Sequence, residues 1–97
     1  MSKAQPPASR QTFVEAVAGL VEASRLSQTK IAHALGYENP NMITLFKTGR
    51  TRMPAEKVVP FAKALDQDPG PLLRHWFEAH MPGILTDVEH YLTPPRT

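Results

Sequence analysis

Ten of the 97 residues are proline, and their placement constrains the fold more than any other feature of the chain. Proline has no N–H for a sheet ladder or a helix interior, but it fits a first helical turn, where that N–H lacks a partner anyway. Two prolines directly follow a capping residue, as Asn39-Pro40 and Asp68-Pro69. Pro54 and the Pro82-Gly83 pair fall between stretches of helical periodicity. No useful length alternates apolar and polar with period two. The chain therefore reads as all-α, built from short helices that proline starts and glycine ends.

The first helix is expected to begin at Thr12, with Glu15 completing a capping box. Phe13, Val17, Leu20 and Val21 form its inner stripe. Ser27 caps a second helix that Gly36 ends, with Ile31, Ala32 and Leu35 facing inward. The third has Asn39 as cap and Pro40 at its first position, carries Met42, Ile43, Leu45 and Phe46, and stops at Gly49. The fourth starts near Pro54 and carries Val58, Val59, Ala62 and Leu65. Pro60 inside it removes a backbone bond and is expected to bend the first turns. Asp68-Pro69 opens a fifth helix with Leu72, Leu73, Trp76 and Phe77, and a sixth is expected from Ile84 to Leu92. Residues 1–9 read as a flexible arm and the residues after Leu92 as a frayed tail.

With no cysteine there is no disulfide framework, thiolate nucleophile or cysteine-based metal site. His75 and His80 are five apart, which does not put both on one helix face as the i, i+4 pair of zinc helices requires. No nucleophile turn or glycine-rich loop accompanies the serines. Neither a cofactor nor catalysis is expected. The longest uncharged apolar run, Ala16 to Val21, falls well short of the roughly 20 residues of a membrane span. A soluble, cytoplasmic domain is the expectation. Its core is small for a single chain, so dimerisation would help it.

The most informative spacing lies in residues 27–49: a short helix, a glycine turn and a second short helix, the pattern of a helix-turn-helix. Such a turn leaves the second helix standing clear, and a DNA major groove is wide enough to admit one helix. Net charge is only +2, but it is divided along the chain. Residues 25–57 hold six Lys and Arg against two carboxylates, leaving +4; residues 66–92 hold one Arg against five carboxylates, leaving −4. The positive part coincides with the helix-turn-helix.

Ser27-Gln28, Ala32 and Gly36, followed by Asn39 to Gly49 and by Phe61-Ala62-Lys63-Ala64-Leu65, resemble the Cro and phage-repressor (XRE-type) helix-turn-helix family over about residues 10–80. That resemblance implies a five-helix repressor-like domain working as a homodimer on an inverted-repeat operator, here with an additional short helix within residues 81–97. It implies a bacterial or phage transcriptional repressor whose partner is double-stranded DNA. Base contacts are expected from Gln28, Asn39, Asn41 and Thr44, and phosphate contacts from Ser27, Lys30, Lys47, Thr48, Arg50 and Arg52. Between Gly36 and Gly49 the chain is one residue longer than the family pattern, so either Met42 and Leu45 or Ile43 and Phe46 form the buried pair of the third helix. Dimer contacts are expected from Trp76, Ile84, Leu85, Val88 and Leu92, although Trp76 at helical spacing also suits the core. A second reading is an antitoxin or protein-interaction module whose acidic C-terminal half binds a partner protein.

Overall fold

The computed structural model describes residues 8–92. Among these residues there are six helices and no strand: α1 (Ala8–Ala23), α2 (Gln28–Ala34), α3 (Asn41–Thr48), α4 (Ala55–Ala64), α5 (Pro69–His80) and α6 (Ile84–Tyr91). None of them is long and apolar enough to cross a membrane. The α1 helix packs on α5 and α3, while α2 packs on α3 and α4, and α4 on α5. The α6 helix packs on α5.

The starts of α2 and α5 carry the expected side-chain caps. Ser27 Oγ accepts from the Lys30 N–H at 3.1 Å, and Asp68 Oδ1 accepts from the Gly70 N–H at 3.0 Å, with Pro69 in the first turn. The first helix corrects its expected start. It begins at Ala8, directly after the Pro6-Pro7 pair of the sequence, so Thr12 lies inside the helix. Glu15 takes a bond from Gln11 Nε2 at 3.0 Å, one turn back along the same face. Ala8 and Ser9 therefore belong to a helix and not to an arm; the rest of the expected arm and the tail lie outside the described residues.

Three helix ends share one geometry. At Gly36 (φ 88°), Gly49 (φ 78°) and Asp66 (φ 60°) the chain turns left-handed. The residue after each donates its N–H back into the last turn: Tyr37 to Ala32 O, Arg50 to Leu45 O and Gln67 to Ala62 O. This is the Schellman arrangement, which satisfies carbonyls the helix leaves open. At the end of α2 a further donor helps, because Lys57 Nζ reaches Leu35 O at 2.7 Å. The same ammonium lies over the Tyr37 ring, 5.0 Å from its centroid.

The core draws on all five of the first helices. Phe13, Val17, Ile31, Ile43, Phe46, Val58, Phe61 and Leu72 are buried together with Met53 from the segment between α3 and α4. The α4 helix runs unbroken through Pro60, whose side chain is exposed. Trp76 is 3% exposed, and its Nε1 donates to Met53 O at 2.7 Å. Trp76 is thus a core residue and not the dimer contact expected of it, because an indole N–H is buried at low cost only where it meets an acceptor.

Candidate nucleic-acid interface

Ile43 and Phe46, at 0% and 2% exposure, are the buried pair of α3. Tyr37 packs on Phe46, with ring centroids 5.8 Å apart. Met42 and Leu45 are only half-buried. With the inner face set at 43 and 46, a turn of 100° per residue puts Asn41, Thr44, Leu45 and Thr48 on the outer side of the helix. Leu45 is not among the expected contacts, because two adjacent apolar pairs, 42–43 and 45–46, leave the inner pair undetermined.

Each expected base-contacting residue has a distinct local setting. Gln28, at the start of α2, donates through Nε2 to Thr44 Oγ1 at 2.9 Å, so the first turn of one helix is tied to the middle of the next. Asn39 Oδ1 accepts from the Asn41 N–H at 2.8 Å and so ties down the front of α3, although the helix starts at Asn41 with Pro40 in the cap position, one residue later than expected. The carbonyl oxygen of Asn39 is therefore already engaged with the backbone. Asn41, the first residue of α3, is exposed.

The expected phosphate contacts divide by chemistry. Lys30, Arg50 and Arg52 are exposed and Lys47 is half-buried, all with cationic donors. Ser27 Oγ serves as an acceptor for the α2 cap, which leaves its O–H as the group that can donate outward. Thr48 differs. Its hydroxyl sits 2.7 Å from Thr44 O and donates back into its own helix, so its proton is spent inside α3. Lys57, one of the six cations counted from the sequence, is committed to Leu35 O and Tyr37. Burial, and then the Glu56 carboxylate, push the Tyr37 phenol above its usual pKa, so it stays neutral beside that lysine.

On the opposite charge half, α6 has no buried residue. Ile84, Tyr91 and Leu92 are exposed, Leu85 and Val88 are half-buried, and all five fall within one side of the helix. The Arg74–Glu89 ion pair, 3.0 Å and half-exposed at both ends, connects α5 to α6. A pair so exposed contributes at most about 1 kcal/mol. Comparison of the chain with protein-family models, with curated proteins and with solved structures returns no match.

Proposed function

We propose that the protein is a sequence-specific DNA-binding transcriptional regulator, a repressor acting as a homodimer, with α1–α5 as a repressor-like helix-turn-helix domain and α3 as the helix that enters the major groove. One observation carries the reading. A short helix with a buried pair at Ile43 and Phe46 keeps an amide, a hydroxyl and a leucine on its outer side, and is tied to α2 through Gln28 and Thr44. Four cations, Lys30, Lys47, Arg50 and Arg52, belong to the same two helices and the segment that follows.

The roles follow from groove chemistry. Asn41 is the residue for adenine, which an amide pairs at N6 and N7 with roughly 1–3 kcal/mol of discrimination. Leu45 supplies apolar contact for a thymine methyl. Gln28 and Thr44 act as a pair, and Asn39 contributes chiefly by tying down the front of α3. The cations hold the phosphate backbone and fix register without reading sequence. Two copies are needed to span half-sites about one helical turn apart, and the apolar side of α6 is the surface for that pairing. The same acidic, apolar segment also supports the second reading, in which a different protein docks there.

Selection of random duplex DNA with the purified chain tests the proposal. An enriched inverted repeat supports it; recovery of no sequence beyond background sinks it.

A further inference from the structure

A cleft of about 230 Å³ lies away from the outer side of α3, between α1, the C-terminal end of α3 and the last turn of α5. Phe13, Phe46 and Met53 give it an apolar floor, and Arg10 and Arg52 line it from different parts of the chain. His80 also lines it. Its Nε2 is buried and, among the described residues, is the one buried side-chain nitrogen or oxygen without a hydrogen-bond partner.

Such an orphan needs a physical account, because native proteins pair nearly all buried polar groups. The ring itself is held by packing: Phe13 lies edge-on at 5.7 Å and Trp76 at 5.2 Å between centroids. It cannot be satisfied by swinging away without breaking those contacts. An imidazole nitrogen without a partner, in a cleft that two arginines line and an apolar floor closes, is complementary to one class of molecule, an anion with an apolar body. The volume is below the roughly 300–1,000 Å³ of sites for drug-sized ligands, so the occupant is small.

We propose that this cleft binds a small monocarboxylate with an apolar body, the carboxylate held by Arg10, Arg52 and His80 Nε2 and the body seated on Phe13, Phe46 and Met53. The proposal stands without the DNA reading, because binding is measured on the free protein. Burial, followed by Arg52 and Arg10, holds the His80 pKa below its usual value. The empty cleft therefore favours the neutral ring, and its tautomer protonated at Nε2 offers that N–H to a carboxylate oxygen.

The experiment is an NMR titration of the full chain with benzoate, following the His80 ring and the amides of residues 10–13 and 49–53. Saturable shifts confined to these residues are expected. Benzamide, of nearly the same shape but uncharged, should bind about tenfold more weakly, as should benzoate to Arg52→Gln. Inorganic phosphate, with charge but no apolar body, should also bind less well than benzoate. The proposal is overturned by the absence of saturable shifts, or by benzamide or phosphate matching benzoate. Arg52 is exposed, so its variant should keep the wild-type melting curve. Should that variant unfold, Arg10→Gln gives the same comparison from α1.

Discussion

Gln28 Nε2 and Thr44 Oγ1 meet at 2.9 Å, and through that single bond the front of α2 is fastened to the middle of α3. Both side chains are half-buried, so the bond is partly shielded from competing water. Thr44→Val keeps the shape and removes the acceptor. It should lower stability by about 0.5–1.5 kcal/mol in urea unfolding. In a double-mutant cycle with Gln28→Ala, a coupling of at least about 0.5 kcal/mol is expected. Strict additivity would mean that the two residues act separately.

Asn41 and Arg50 should fail differently on a selected duplex. Asn41→Ala should flatten preference at one or two base pairs, by about 1–3 kcal/mol of discrimination, with little change in salt dependence. Arg50→Ala should weaken binding to all sequences and reduce the slope of log K against log salt by about 0.9. Asn39→Ala should instead cost roughly 0.5–2 kcal/mol of folding stability, because it removes the acceptor for the Asn41 N–H. Binding isotherms at several salt concentrations, beside melting curves, separate the three.

Gly49 and Asp66 occupy equivalent left-handed positions and should respond oppositely to substitution. A Cβ at Gly49 would come within 3.1 Å of Val14 Cγ2, at φ 78°. Gly49→Ala is therefore expected to destabilise by at least about 1 kcal/mol. Asp66 already bears the cost of a side chain at φ 60°, so Asp66→Gly should raise the melting temperature or leave it unchanged. Thermal unfolding of both variants checks the pair; a lowered melting temperature for Asp66→Gly would show that its side chain stabilises the turn.

The lowered pKa of His80 has a defined stability signature. Burial first, then Arg52 and Arg10, disfavour the charged ring in the folded chain, while the unfolded chain titrates near the ordinary 6.5. As pH falls through that unfolded value, the unfolded state takes up a proton that the folded state refuses, and stability drops. The drop ends below the folded pKa, and above about pH 7.5 the group contributes no slope. His80→Phe should make the urea midpoint less sensitive to pH between about 7.5 and 5. An unchanged slope would assign the pH dependence to other groups.

Leu92, 74% exposed at the end of α6, should tolerate a charge in the isolated fold. Leu92→Glu should leave the far-ultraviolet spectrum intact and shift sedimentation toward the monomer, with loss of cooperative DNA binding. Retained self-association with loss of a different bound protein would favour the antitoxin reading.

Much of the helix pattern was legible because prolines and glycines act locally. Asp68-Pro69 and Gly49 each state their role within two or three residues. The start of α1 was not legible, because Thr12 and Glu15 have the spacing of a capping box whether or not a helix already surrounds them. Ile43 and Phe46 could not be separated from Met42 and Leu45, since only the partners across the core choose between adjacent apolar stripes. The same limit hid the role of Trp76, whose acceptor at Met53 is 23 residues away. Arg10, Arg52 and His80 carry no shared motif at all; the packing of α1 on both α3 and α5 brings them to one cleft.

The chain contains a single tryptophan, and its indole is bonded to the backbone of the very segment that carries Arg50 and Arg52. Its emission therefore reports one joint, between the body of the molecule and its basic loop, with no second fluorophore of its kind to blur the signal. Any event that lifts Met53 from Trp76 becomes visible as a change in the colour of that emission, in an unlabelled and unmutated protein.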